Sequence, residues 1–156
     1  MNSPKKFQFD AQDLATSLRF AEQIGGRLRG GEIIELSSDL GGGKTTFVRG
    51  IALGAGSLDH VSSPSFTLTN VYETSSLLIH HFDFYRLNDP GILRNEIAEV
   101  LTDTKAVVII EWADSIKDML PDARISMNIR VTGDESRHYE VRYSDAFEYL
   151  FNRLSI

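Results

Sequence analysis

The chain has 156 residues, 42% hydrophobic and 24% charged, which suits one folded domain with a buried core and argues against disorder. It contains no cysteine, which excludes disulfides, thiol nucleophiles and cysteine–zinc sites and points to a reducing compartment. Acidic residues number 22 against 16 basic ones, a net charge of −6, whereas a direct grip on nucleic acid calls for a basic surface.

In chain order, Met1-Asn2-Ser3-Pro4-Lys5-Lys6 has no apolar run behind it, so no secretory signal is expected. Phe7-Gln8-Phe9 alternates like a short strand. Asp10 is placed to cap a helix in which Leu14, Leu18, Ala21, Ile24 and Leu28 recur at helical spacing, with Asp13 in its first turn and Gly30-Gly31 as its end. A strand at 32–36 follows, then a glycine-rich loop and a helix from Phe47 to Leu53, closed by Gly54 and Gly56. Further strands are expected at 68–72 and 77–82, a short helix at 91–101, strands at 124–131 and 138–143, and a helical tail at 145–154. Val107-Val108-Ile109-Ile110 is continuously apolar, as in a strand buried on both faces of a parallel sheet. The longest fully apolar run, 106–110, is too short to span a bilayer, and a cytoplasmic location is expected. The alternation of strands and helices predicts one α/β domain over 1–156. Its sheet is expected to be mostly parallel, flanked by helices on both faces, with some antiparallel strands late in the chain; Gly41-Gly42-Gly43-Lys44-Thr45 between a strand and a helix makes it P-loop NTPase-like.

Ser37-Ser38-Asp39-Leu40-Gly41-Gly42-Gly43-Lys44-Thr45-Thr46 carries the strongest chemical signal. Strand, glycine-rich loop, Lys-Thr and helix is the arrangement that cradles nucleotide phosphates. Glycines let successive N–H groups turn inward around an anion, and the helix N-terminus adds its dipole. Lys44 is placed to reach the β- and γ-phosphates, and the Thr45 hydroxyl to bind a bridging magnesium. The usual pattern is G-x-x-x-x-G-K-[ST]. Ser38 stands where its first glycine belongs, and serine is small enough to serve there.

Chemistry at such a loop needs acids at the carboxyl ends of neighbouring strands. Glu111 ends the 107–110 run, and Asp83 ends the strand that carries His81. Glu111 fits a magnesium-holding role. Asp83 reads either as a second acid or as part of an Asp-Phe-Tyr-Arg turn. His81 and Tyr85 could orient water or contact a partner, although a histidine among apolar neighbours is more often a core residue. Trp112 is either core filler or an exposed contact. The 63–67 segment, Ser63-Pro64-Ser65-Phe66-Thr67, reads equally as a proline turn or as a loop that senses the γ-phosphate through hydroxyls. Arg130 and Arg137 are expected as solvated surface arginines.

Taken together, the segments resemble the bacterial TsaE (YjeE) family, the ATPase component of the machinery that makes N6-threonylcarbamoyladenosine in tRNA. The family pattern reads roughly G-D-L-G-[AS]-G-K-T-T, S-P-T-[FY]-T-L, H-x-D-x-Y-R and I-E-W. Ser38 to Thr46, Ser63-Pro64-Ser65-Phe66-Thr67-Leu68, His81-Phe82-Asp83-Phe84-Tyr85-Arg86 and Ile110-Glu111-Trp112 follow it in order, with Ser38 for its first glycine, Gly42 at its small-residue position and Ser65 for its threonine. The resemblance implies ATP and Mg²⁺ as cofactors, with Gly41, Gly42, Gly43, Lys44, Thr45 and Thr46 around the phosphates. Thr45 and Glu111 would be metal ligands, and Lys44, Asp83 and Glu111 the catalytic set. Trp112 and the 63–67 loop would couple nucleotide state to a partner. It also implies the TsaB and TsaD proteins as partners, with tRNA met only through that complex, no membrane, and ATP hydrolysis resetting the transfer complex. Adenine specificity follows from the resemblance alone, and the stretch 10–14 is the expected purine site.

Other readings stay open at this point. A small GTPase would need an Asn-Lys-x-Asp element and a D-x-x-G after the second strand, and neither is present. A small-molecule kinase would need an arginine-rich lid, for which only Arg94 offers itself. A non-catalytic nucleotide-gated adaptor would use the same loop and metal ligands as a slow ATPase.

Overall fold

The structure, a computed structural model, describes residues 3–39, 41–64, 67–85, 89, 91 and 93–156. In chain order the elements are β1 (Lys5–Ala11), α1 (Leu14–Gly25), β2 (Ile33–Ser38), α2 (Lys44–Gly54), β3 (Thr69–Glu73), β4 (Leu78–Asp83), α3 (Leu93–Val100) and β5 (Ala106–Glu111). A 3₁₀ segment (Ala113–Met119), β6 (Ile125–Val131), β7 (Arg137–Tyr143), a 3₁₀ turn (Asp145–Phe147) and α4 (Glu148–Phe151) complete the order.

The described strands form a single seven-stranded sheet in the order β1-β7-β6-β2-β5-β4-β3. Its four central members, β6, β2, β5 and β4, run parallel, while β7, β1 and β3 pair antiparallel at the flanks. Every residue of β5 is buried, because both its faces are covered, and an unbroken apolar run is what such a strand requires. On one face α1 and α2 pack with Phe20, Ile24, Phe47 and Ile51 against Ile34, Leu36, Ile109 and Tyr139. Phe20 is the centre of an aromatic group, with ring centroids 4.8 Å from Phe9 and 4.9 Å from Tyr139. On the other face Ile97 of α3 and Ile116 of the 3₁₀ segment cover Phe82, Val108 and Ile110.

α1 and α2 cross almost backbone to backbone. A Cβ on Gly25 would lie 2.1 Å from Ile51 O, and one on Gly54 only 2.0 Å from Glu22 O. This close approach fixes the helix that follows the glycine-rich loop, and α1 ends at Gly25–Gly26 rather than at the expected Gly30-Gly31. The cap of α1 also differs from expectation. Asp13, not Asp10, is the N-cap, and its carboxylate accepts from Thr16 N at 2.8 Å. Asp10 continues β1, opposite His138, whose Nδ1 lies 2.6 Å from its carboxylate. The tail is helical from Asp145, a 3₁₀ turn leading into α4, but stops at Phe151 rather than at 154. There the Arg27 guanidinium donates to the carbonyls of Tyr149, Leu150, Asn152 and Arg153, capturing groups that a continuing helix would have used. The 3₁₀ segment after β5 has no counterpart in the expected elements.

Candidate functional site

Sheet register assembles the site. In β2, Leu36 pairs with Glu111 of β5, and on the other side of β5 Glu111 pairs with Asp83 of β4. Three parallel strands therefore end together, one feeding the glycine-rich loop and two ending in carboxylates, as expected for ligand sites in α/β sheets. Between them lies a cleft of ≈ 290 Å³, lined by Gly41 to Thr46, Ser63, Asp83, Tyr85, Glu111 and Trp112. Leu40, Ser65, Phe66 and Arg86, which belong to the sequence motifs, lie outside the described residues.

Burial marks the cleft as costly to build. Lys44, His81, Asp83 and Glu111 are all under 9% exposed and gather at the cleft or in its wall. Charged groups taken out of water destabilise a fold unless they are paired or serve a ligand. Lys44 Nζ donates to Ser38 Oγ at 3.0 Å and to Ser38 O at 3.5 Å, and lies 5.0 Å from the centroid of the Trp112 ring. Trp112 adopts a left-handed backbone conformation, with φ 58° and ψ 52°. A β-carbon makes this unfavourable by roughly 1–2 kcal/mol. The strained turn sets the indole over the ammonium and beside Tyr85, whose ring centroid is 4.8 Å away.

His81 Nε2 lies 3.0 Å from Glu111 Oε1, with both side chains buried. His81 Nδ1 is buried with no partner among the described residues. With the proton on Nε2 the ring donates to the carboxylate, and only a lone pair on Nδ1 goes unmatched. The other tautomer would strand an N–H, which costs more. His81 thus orients Glu111, turning a residue that the sequence reads as core or catalytic into a support for the acid. Asp83 Oδ1 accepts from Tyr85 N at 2.9 Å, which ties the acid to the chain beyond its strand.

Ser62 and Leu68, on either side of the 63–67 segment, are each held in place. Tyr72 Oη and Asn70 Nδ2 donate to Ser62 O at 2.9 and 3.1 Å, and Asp83 N donates to Leu68 O at 3.0 Å. Ser63 thereby faces the cleft.

Arg137 departs from expectation. It is half-buried, and its Nε donates to Gly42 O at 3.1 Å, bracing the loop from behind, whereas Arg130 is exposed as anticipated. The topology explains it. β6 runs parallel to β2 and passes it by two residues, so the β6–β7 hairpin overhangs the loop. No periodicity reports this, and only the parallel placement of β6 could have. A second hollow of ≈ 210 Å³ opens on that side, lined by Leu14, Ser17, Gly43, Thr46, Asp134, Glu135, Arg137 and Tyr139. Within the 10–14 stretch, Leu14 lines it and Asp10 does not.

The donors fit a hard divalent cation. Thr45, Asp83 and Glu111 offer only oxygen, the ligand type magnesium takes, and magnesium commonly draws its remaining ligands from phosphate and water. Among the described residues no group of three or more His, Cys, Asp or Glu could hold a metal by itself. No helix among them is long and apolar enough to cross a membrane.

Comparison with known proteins identifies related chains. The family model described as threonylcarbamoyl adenosine biosynthesis protein TsaE matches residues 11–139. The chain is 38% identical over 109 residues to the tRNA threonylcarbamoyladenosine biosynthesis protein TsaE of Haemophilus influenzae, covering 70% of this chain and 68% of that one. To its namesake in Treponema pallidum it is 34% identical over 131 residues, 84% of this chain and 94% of the relative. The crystal structure of YdiB from Bacillus subtilis superposes with a TM-score of 0.76 at 26% identity, over 99% of this chain and 97% of that one. A family match over most of the chain, relatives above 30% identity and the shared fold lead to one conclusion: the chain belongs to the TsaE family of threonylcarbamoyl adenosine biosynthesis proteins.

Proposed function

We propose that the cleft binds ATP with Mg²⁺ and hydrolyses it, and that the protein is the ATPase component of the cytoplasmic machinery making threonylcarbamoyladenosine in tRNA. The observation that carries this reading is the meeting of a buried lysine and two buried carboxylates around a glycine-rich loop. The amides of Gly41 to Thr46 bind the phosphates, and Lys44 stabilises charge on the β- and γ-phosphates. Thr45 and Glu111 hold the magnesium, with His81 fixing the carboxylate. The metal, when bound, neutralises charge on the transferring phosphoryl group. Asp83 accepts a hydrogen bond from the attacking water and orients it. The hollow beside Leu14 and Thr46 takes the adenine.

The net charge of −6 supports a division of labour in which the tRNA is gripped by other proteins. Those partners are TsaB and TsaD, and hydrolysis resets their complex between turnovers. Trp112, Tyr85 and the loop carrying Ser63 lie at the cleft mouth, where a change of nucleotide would reach a partner. The kinase alternative weakens, because Arg94 is engaged away from the cleft with Asp118 at 2.6 Å. ATP turnover, measured for the chain alone and with a TsaB–TsaD pair, tests the proposal. Turnover is expected with the pair and lower without it. Binding of ATP with no turnover in either would make the protein a nucleotide-gated adaptor.

A further inference from the structure

The general phosphate-loop pattern has glycine at the position of Ser38 and accepts any residue at the position of Gly42. In this chain the side chain has changed sides. A Cβ built on Gly42 would lie 2.5 Å from Ser38 Oγ, 2.7 Å from Ser38 Cβ and 2.9 Å from Asp39 O, all closer than real Cβ atoms come. Gly42 is buried, and unlike Gly41 (φ 75°) and Gly43 (φ 101°) it does not have a positive φ. Its φ does not call for glycine, so what decides there is the space that the Ser38 side chain and Asp39 O leave. Ser38 uses the space. Its hydroxyl donates to Asp39 O at 2.8 Å and accepts from Lys44 Nζ at 3.0 Å.

We propose that Ser38 and Gly42 form one coupled unit. The Ser38 hydroxyl is a positioning group that holds the Lys44 ammonium at the loop, and Gly42 is glycine because the Ser38 hydroxymethyl group fills its side-chain space. This deepens the nucleotide-binding reading and rests on it. A flexible lysine stem loses rotamer freedom when it meets a phosphate, and an anchor already on the ammonium lowers that loss.

The test is a double-mutant cycle of Ser38→Gly and Gly42→Ala, with Ser38→Ala as a third arm. It is read by calorimetric affinity for Mg-ATP and by melting of the nucleotide-free protein. With Ser38 present, Gly42→Ala is expected to weaken binding about tenfold and to lower melting by roughly 3–6 °C, the usual result of overpacking. In the Ser38→Gly background the same alanine is expected to cost at most about half as much, since both Ser38 contacts are gone and only the 2.9 Å approach to Asp39 O remains. Ser38→Ala is expected to weaken Mg-ATP about threefold and to lower melting by no more than about 4 °C, because it keeps the Cβ and removes the hydroxyl's two bonds. Equal cost of Gly42→Ala in both backgrounds overturns the coupling. Unchanged affinity in Ser38→Ala overturns the positioning role. If the natural chain takes up no nucleotide, the functional reading falls, while the melting arm still decides whether the two positions are coupled.

Discussion

Replacing Glu111 by glutamine isolates what its charge does, because the side chain keeps its shape and can still accept from His81. Asp83 and Glu111 are register partners on adjacent parallel strands, and both are 3% exposed. Adjacent strands lie about 4.8 Å apart, which puts the carboxylates about 5–6 Å from one another. At an effective dielectric constant of about 20 their repulsion is about 3 kcal/mol. Glutamine relieves that repulsion. It also turns a charge-assisted bond from His81 into a neutral one, a loss of about 1 kcal/mol. It removes a counter-charge across the cleft from Lys44 as well, about 2 kcal/mol more at the same dielectric constant and a separation of about 8 Å. The balance is close to zero for the nucleotide-free protein, so melting is expected to move by no more than about 2 °C at this chain length. Magnesium-dependent ATP turnover is expected to fall by two orders of magnitude or more, as when a directly stabilising group is removed. Loss of activity with stability held is the signature of an acid kept for a ligand. Melting read by circular dichroism, beside phosphate release, checks it. A Glu111→Gln protein that melts lower and turns over normally would make Glu111 a structural partner of His81 and refute the reasoning.

Further outcomes follow from neighbouring residues. Lys44→Ala should abolish Mg-ATP uptake in a calorimetric titration while leaving the fold intact, because it removes the one buried ammonium of the cleft. His81→Ala should cost more turnover than His81→Gln, since glutamine retains a donor towards Glu111; equal losses in steady-state kinetics would remove the orienting role. Burial depresses the His80 pKa below its ordinary value, so the folded state binds its proton less readily than the unfolded chain. The stability it contributes is therefore present above about pH 6.5 and lost as pH falls through the folded value. Melting followed from pH 7.5 to 5 should drop, and His80→Phe should flatten that drop. Gly54→Ala should lower melting, because its Cβ would meet Glu22 O at 2.0 Å; an unchanged melting temperature would mean that α1 and α2 can separate freely.

Much of this was legible in the residues, for identifiable physical reasons. The continuous apolar run of β5 announced a strand covered on both faces, and the acid at its end marked where the strand emerges beside the loop. Lys44 and Thr45 followed from a motif whose spacing is fixed by backbone geometry. What stayed hidden depended on tertiary placement. Asp10 and Asp13 are both good helix caps by type, and only the pairing of Asp10 with β7 decides between them. Arg137 reads as an ordinary strand-end arginine until β6 is set parallel to β2 and the hairpin swings over the loop. The bond from His81 to Glu111 joins positions 30 residues apart, and its geometry comes from strand register rather than local pattern.

Titration of the natural chain with ATP, with magnesium present and with magnesium chelated, probes the central claim most directly. Saturable uptake of one nucleotide, markedly tighter with the metal and lost in Lys44→Ala, is the result expected. Absence of uptake at saturating Mg-ATP, or uptake indifferent to both magnesium and Lys44, would contradict it.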